Sequence, residues 1–285
     1  MKNYFKICVL YLLITSMLVT GCTIRNSNGG VKVHFIDVGQ ADCILIESND
    51  KYMLVDGGNN DDAELIVSYL QKEGVSRLEY VIGTHPHEDH IGSLDVIINK
   101  FDIGKVIMPP VTNNTKTFED VLDAIERKGL KITKPVVGTS FALDEAEFTI
   151  LAPNKDYDDN LNNWSVGIKL TYNNNRFVLC GDVEKEAERD ILGNKLDIRA
   201  DVLKANHHGS ETSNSPEFLD AVSPDYVVIT SEKGNSYGHP HKEVLEKLKE
   251  REIEIYRTDT QGTIIATSDG SKITWSTKPS DNSND

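Results

Sequence analysis

From residue 31 onward, short runs rich in β-branched and other apolar residues alternate with segments whose apolar positions return at helical spacing. The runs at 31–36, 43–47 and 52–55 predict strands, 63–73 a helix, 80–83 a strand and 91–99 a helix. A helix at 118–128 precedes strands at 148–151, 166–172 and 176–180. The last third repeats the alternation, with helices at 185–192, 216–222 and 242–249, strands at 201–204, 226–230 and 254–256, and a closing hairpin over 262–275. Hairpins mixed with strand–helix alternation predict an α+β arrangement, in which sheets carry helices on their outer faces. The two halves also resemble each other. The first runs strand, strand, Asp56-Gly57-Gly58, helix, strand, His85, and the second runs strand, strand, Gly181-Asp182, helix, strand, His207. Two copies of one unit, each delivering an acid and a histidine at strand ends, would face each other across a cleft.

The flanks follow other patterns. Lys2 and Lys6 precede an uncharged apolar run over 7–20, whose 14 residues fall short of the roughly 20 that a bilayer span needs. It closes in Leu18-Val19-Thr20-Gly21-Cys22, which resembles a bacterial lipobox and predicts a lipoprotein-type signal over 1–21 with Cys22 as the lipidated residue. Residues 22–30 then read as a tether, 31–276 as one folded domain and 277–285 as a disordered tail. The expected location is the cell envelope, exported and lipid-anchored, with the soluble domain outside the cytoplasm. Of the 4 cysteines, Cys8 leaves with the signal and Cys22 carries the lipid. Cys43 and Cys180 sit in apolar runs and are expected as buried thiols.

Charge changes the picture next. With 26% charged and 39% hydrophobic residues the chain can bury a large core, which excludes disordered and collagen-like classes. There are 30 Lys+Arg against 45 Asp+Glu; removing 1–21 takes away Lys2 and Lys6 and no acid, so the net charge moves from −15 to −17. Such a surplus excludes gripping a polyphosphate backbone by bulk electrostatics.

The strand at 80–83 ends in Thr84-His85-Pro86-His87-Glu88-Asp89-His90. Three histidines and an acid at a strand-to-helix junction have a metal-binding composition, because neutral imidazole and carboxylate are the ligands that Zn²⁺ and similar cations take. His85/His87 and Asp89/His90 form two pairs that point to different places, and two pairs suggest two ions. A dinuclear site needs a bridging acid, and Asp182 after Gly181 at a strand end is the candidate. His207 or His208, also after a strand, is the candidate distant nitrogen.

Together with Asp37-Val38-Gly39-Gln40 and Asp56-Gly57-Gly58 before it, and Gly181-Asp182, His207-His208-Gly209-Ser210 and Tyr237-Gly238-His239-Pro240-His241 after it, the His85-x-His87-x-Asp89-His90 motif resembles the metallo-β-lactamase superfamily. Within it the chain is most similar to the soluble domain of the ComEC type of competence DNA-internalisation protein. The resemblance covers residues 31–276 and implies a four-layer αβ/βα sandwich with a dinuclear metal site at the sheet edge. It implies that His85, His87 and Asp182 hold one ion, and Asp89, His90, Asp182 and His207 the other. The implied cofactors are two divalent ions, zinc first and manganese as the alternative. Two departures stand out: 160–165 carries no histidine where many superfamily hydrolases supply one, and Ala41 stands where the subgroup usually has glycine. The β-lactamases of one large class use a cysteine ligand and lack the counterpart of His90, which disfavours antibiotic hydrolysis.

The expected function is metal-dependent phosphodiester hydrolysis, with a water shared by the ions as nucleophile. Asp89 would orient that nucleophile, and His239 would bind substrate oxygen or protonate the leaving group. Asp56, His208 and His241 are expected beside the ligands, and His34 as a structural residue. The substrate would be a phosphodiester small molecule, nucleic acid or envelope polymer; no protein partner is indicated. The alternatives are a hydrolase of lactones or thioesters, and a catalytically silent metal-binding surface module.

Overall fold

The computed structural model describes residues 29–278. The predicted signal, Cys22, most of the tether and nearly all of the tail lie outside these residues. Among the described residues no helix is long and apolar enough to cross a membrane.

Among the described residues fifteen strands form two sheets. The first contains β1 (Val31–Phe35), β2 (Ile44–Ser48), β3 (Lys51–Val55), β4 (Arg77–Ile82), β5 (Asp102–Ile107), β6 (Ile132–Thr133), β14 (Thr263–Ser268) and β15 (Ile273–Lys278), in the order β15-β14-β1-β2-β3-β4-β5-β6. The second contains β7 (Ser140–Leu143), β8 (Ala146–Ile150), β9 (Ile168–Tyr172), β10 (Asn175–Leu179), β11 (Val202–Lys204), β12 (Tyr226–Ile229) and β13 (Glu254–Arg257), in the order β13-β12-β11-β10-β9-β8-β7. The longer helices are α1 (Ala63–Lys72), α3 (Leu94–Lys100), α4 (Lys116–Arg127), α5 (Lys185–Gly193), α6 (Pro216–Val222) and α7 (Lys242–Glu250); α2 (Glu88–Ile91) and α8 (Thr258–Gln261) are single turns.

Alternation along the strands separates three buried layers. Val33, Phe35, Ile46 and Met53 of the first sheet meet Phe148, Leu170 and Phe177 of the second between the sheets. The opposite face of the first sheet, with Leu45, Leu54 and Val81, is covered by Ile66, Leu70, Ile97 and Val121 from α1, α3 and α4. The opposite face of the second, with Val178, Leu203 and Val227, is covered by Ala187, Phe218 and Val244 from α5, α6 and α7. This is the expected four-layer αβ/βα sandwich. Helix α4 illustrates the local cause: Phe118, Val121, Ala124 and Ile125 fall on one face, and the Thr115 hydroxyl caps the first turn by accepting from Phe118 N at 3.3 Å.

The internal resemblance of the halves is present in the topology. Strands β2-β3-β4-β5-β6 and β9-β10-β11-β12-β13 are each joined by one antiparallel pairing followed by three parallel ones. Cys43 and Cys180 are free and buried, as expected. His34 is structural, its Nδ1 2.8 Å from the Tyr69 hydroxyl. One helix differs from the pattern: the predicted 91–99 segment is two helices, α2 and α3, broken at Gly92-Ser93.

Candidate metal centre

In parallel sheets, loops after the C-terminal strand ends converge at one rim, and the chemistry of this chain gathers there. Asp56 follows β3, His85 follows β4, Asp182 follows β10, and His207 and His208 follow β11. His87 caps α2, which carries Asp89 and His90. Two glycines let these loops approach one another. A Cβ on Gly181, which has φ +55°, would lie 2.9 Å from the Thr84 hydroxyl. A Cβ on Gly92 would lie 2.2 Å from Asn59 C and 2.3 Å from Asn60 N, so the backbone of α2 rests directly on the loop after Asp56. Gly92→Ala is therefore expected to cost about 2–3 kcal/mol and to weaken metal retention through a displaced His90. Chemical denaturation and metal content check it; unchanged values for both would show that the loops can separate freely.

Asp182 lies at the centre. Its Oδ2 is 3.2 Å from His90 Nε2, 3.6 Å from His208 Nε2 and 3.7 Å from His207 Nε2. Asp89 Oδ2 lies 3.7 Å from His90 Nε2 and 3.5 Å from His208 Nε2. One ligand atom from each of Asp89, His90, Asp182 and His208 falls within 4.8 Å of all the others. His90 Nε2, Asp182 Oδ1 and His208 Nε2 are buried without an aligned hydrogen-bond partner. Orphaned buried donors and acceptors are costly, and three aimed at one place fit a cation. Beside them His85 Nε2 and His87 Nδ1 are 2.9 Å apart, close enough for one ion at about 2.0–2.1 Å from each nitrogen. The residues present fit divalent metal.

Of the adjacent pair after β11, His208 joins the four-residue group, whereas His207, the expected ligand, turns partly toward Glu184 and Thr212. His207 and His208 have φ of +50° and +52°, a region that non-glycine side chains enter at a cost. That kink is what brings both rings to Asp182. The segment without a histidine, 160–165, supplies Ser165 instead, whose hydroxyl accepts from Asp182 N at 3.1 Å and lies 3.2 Å from His85 Nδ1. Ala41 is fully buried and has no positive φ, so the loop forms without glycine there.

Surrounding groups fix the ring orientations. Asp56 accepts from Thr84 N at 2.7 Å and the Thr84 hydroxyl at 2.8 Å, and its other contact, 2.8 Å to His90 Nδ1, leaves Nε2 facing Asp182. His208 Nδ1 donates to Thr230 O at 2.9 Å, with the same result for its Nε2. Glu188, fully buried, accepts from Asn206 Nδ2, Asn214 N and Ser215 N at 2.6–2.9 Å and anchors the loop that carries both histidines. Beneath them Lys204, fully buried, places Nζ 2.5 Å from the buried Asp42, which also accepts from the Thr230 hydroxyl. The sequence pattern alone did not single out Asp42, Lys204 or Glu188, and Gln40 entered only as part of the Asp37-Val38-Gly39-Gln40 motif. The available signal was a charge interrupting an apolar run, at Asp42 before Cys43 and at Lys204 closing 201–204.

Charges in this pocket are set by opposition. Burial disfavours the His90 cation, but Asp182, Asp89 and Asp56 outweigh it and hold the imidazole well above its ordinary range. Burial works against the Asp182 carboxylate too, and His90 and His208 hold it well below the usual carboxylate range. A proton on His90 thus sits where metal would bind, whereas burial keeps His85 and His87 neutral. Ligation needs neutral imidazole, so metal binding is expected to expel at least one proton from this cluster, and apparent affinity should rise with pH. Calorimetric titration at one pH in buffers of different ionisation enthalpy checks this; heats independent of buffer would contradict it.

His239 stands at the cleft wall. Burial, with His208 and His207 next to it, pushes its imidazole down to about 4, so it is neutral at neutral pH. The Glu232 N–H lies 3.3 Å from Gln40 Oε1, which turns the amide nitrogen of Gln40 toward His239 Nδ1, also at 3.3 Å. An amide N–H can only donate, so Nδ1 accepts and the His239 proton sits on Nε2. His241 does not reach the cluster: its Nδ1 accepts from Glu211 N at 2.9 Å and its Nε2 donates to Tyr237 O at 3.2 Å, tying the loop together. Asp89, Asp182, His87, His207, His208 and His239 line an open cleft of about 570 Å³.

A sequence model described as Metallo-beta-lactamase superfamily matches residues 36–230. ComE operon protein 3 of Bacillus subtilis (strain 168) is 28% identical over 281 residues, covering 88% of this chain and 36% of its own length. Recombination protein 2 of Haemophilus influenzae is 31% identical over 238 residues, covering 82% and 28%, and Competence protein ComA of Neisseria gonorrhoeae is 28% identical over 232 residues, covering 80% and 31%. The chain thus spans about a third of the length of these relatives. Among solved structures, the metallo-beta-lactamase fold protein YhfI from Bacillus subtilis superposes with a TM-score of 0.54 at 13% identity, covering 80% of this chain and 95% of that one. CmlA, a diiron beta-hydroxylase from Streptomyces venezuelae, superposes at 0.55 with 14% identity, covering 80% and 52%.

Proposed function

Because the chain belongs to the metallo-β-lactamase superfamily, we propose that it is a metal-dependent hydrolase of phosphodiesters that works at the cell envelope. The observation that carries the proposal is the convergence of Asp89, His90, Asp182 and His208, three of them with orphaned ligand atoms, beside the His85/His87 pair at one open cleft whose wall includes Asp89, Asp182, His208 and His87. The choice of phosphorus is supported by the relatives, whose names tie them to competence and recombination. Asp182, within 3.7 Å of His90, His208 and His207, is the proposed bridging ligand.

Divalent ions held here would supply Lewis acidity at the scissile centre and lower the pKa of water, as zinc and manganese both do. The side chains supply the rest. Asp56 and Thr230 fix the His90 and His208 rings, so the donor set is preorganised. Asp89, partly exposed at the cleft, can accept a hydrogen bond from the attacking group. His239, neutral with its proton on Nε2, can donate to a substrate oxygen or leaving group. The open cleft also leaves room for a substrate chain to enter and leave.

The test is turnover by the purified full-length protein, with bound metal measured in the same preparation. Bis(p-nitrophenyl) phosphate and single-stranded DNA are expected to be cleaved, and a lactone and a cephalosporin reporter not. Lactone turnover without phosphodiester turnover would give the carbonyl reading its place, and bound metal with no turnover at all would leave a silent binding module. Envelope attachment rests on the lipobox-like segment ending in Cys22. Incorporation of labelled palmitate, lost in Cys22→Ser, tests it.

A further inference from the structure

Tyr237 is the most exposed large apolar side chain among the described residues, at 67%, and it lies on the wall of the metal cleft beside Asp182, His207 and His239. Exposed aromatic surface is unfavourable unless something covers it, and a mobile loop could simply fold it away. This loop is held. Asn235 Oδ1 accepts from Tyr237 N at 3.1 Å and His239 N at 3.0 Å, while its Nδ2 donates to Glu232 O at 2.9 Å and His239 O at 2.6 Å. His241 Nε2 donates to Tyr237 O at 3.2 Å. The ring lies nearly parallel to that of His239, 20° between planes with centroids 5.6 Å apart, so the two form a fixed aromatic step on the wall of the cleft that Asp182, His207 and His208 also line.

A second observation concerns charge. Among the described residues no arginine or lysine lines this cleft, whereas Glu88, Asp89 and Asp182 do. A phosphodiester entering it meets histidines but no permanently charged cationic side chain, so contacts to the rest of the substrate add to what the ions and imidazoles supply. A fixed, exposed ring attracts a planar one: base–aromatic stacking contributes about 1–3 kcal/mol per base and tolerates any base.

Resting on the phosphodiesterase reading above, we propose that Tyr237 is a stacking wall for a nucleobase next to the scissile phosphate, which makes nucleoside-bearing diesters the preferred substrate class. The wall favours short or end-on substrates, because an acidic surface repels the remainder of a long nucleic acid.

The experiment compares two diesters of equal charge, the dinucleotide dTpdT and its abasic analogue, on full-length metal-loaded protein. Wild type is expected to prefer dTpdT in kcat/KM. Tyr237→Ala should cut that preference about tenfold or more, mainly through KM, and Tyr237→Phe should keep it. A preference that Tyr237→Ala leaves as it was, or the absence of any preference in wild type, overturns the wall. Should neither diester be cleaved by wild type, the phosphodiesterase reading fails, and binding of thymidine 5′-monophosphate by calorimetry still decides the wall: tighter in wild type and Tyr237→Phe than in Tyr237→Ala supports it, equal affinity rejects it. Equal binding of ribose 5-phosphate and thymidine 5′-monophosphate would assign the ring to sugar rather than base and likewise overturn the proposal.

Discussion

Asp182→Ala is expected to abolish hydrolysis and strip the cluster of metal, with a loss of affinity above about 100-fold, beyond the 10–100-fold range of residues that merely orient ligands. The reason is position: Asp182 Oδ2 is the acceptor within 3.7 Å of His90, His207 and His208 together, so no neighbouring acid can replace it. Asp56→Asn should fall inside the lower range, since Asp56 reaches only the Nδ1 side of His90. Metal titration by chelator competition measures both. The metal-free proteins carry a second signature. Asp182, held below its unfolded pKa, contributes stability that is present above the ordinary carboxylate value of about 4 and is lost as pH falls through its folded pKa. His90, held above its unfolded pKa, contributes stability that is full below about 6.5 and is lost as pH rises through its folded pKa. The metal-free wild type should therefore gain most from this pair between about pH 4 and 6.5, and Asp182→Ala should lose that gain in the same window. Thermal melts of chelator-treated protein across pH would show it, and identical pH profiles for the two proteins would refute the pairing.

The second large effect concerns the ion pair beneath the site. Lys204→Met leaves the Asp42 carboxylate buried with only the Thr230 hydroxyl and more distant imidazoles to answer its charge. Breaking a buried pair from one side costs about 3–5 kcal/mol, which for a domain of this size lowers Tm by roughly 6–20 °C. Replacing both partners removes the uncompensated charge, so Asp42→Asn with Lys204→Met should recover most of the loss. Urea denaturation of the two single variants and the double variant closes the cycle; additive losses would mean that the two residues act separately. The pair also has a local task, because Asp42 Oδ1 lies 3.5 Å from His208 Nδ1 and limits how far that ring can turn.

How much of this was legible in the sequence follows from how local each cause is. The helices and hairpins that pack one face on one core were readable from spacing alone, as with Phe118, Val121 and Ile125 of α4. Strand β5 was not, because Asp102, Gly104 and Lys105 interrupt its pattern, although Val106 and Ile107 are fully buried between β4 and β6. The break between α2 and α3 was hidden because Gly92 is tolerated by a helical pattern, whereas the helix leaves its path at Ser93, whose N–H donates to Gly57 O at 3.1 Å in a distant loop. At the site, His85, His87, Asp89, His90 and Asp182 were readable because their composition at strand ends is improbable without metal. The choice between His207 and His208 was not, since it depends on two positive φ angles. Asp42 and Lys204 needed the tertiary fold, which brings together residues from opposite halves of the chain.

The duplicated topology has one further consequence. The β3 and β4 loops and α2 bring Asp56, His85, His87, Asp89 and His90 from the first sheet, whereas Asp182 and His208 hang from β10 and β11 of the second. Neither sheet brings all of these side chains, so ions held as proposed would rivet two slabs whose separation is set by Phe35, Met53, Phe148 and Phe177 between them. The thickness of that greasy filling then sets how far apart the two sets of side chains stand. A methylene added or removed there, far from the rim, is expected to weaken metal retention by shifting one set against the other.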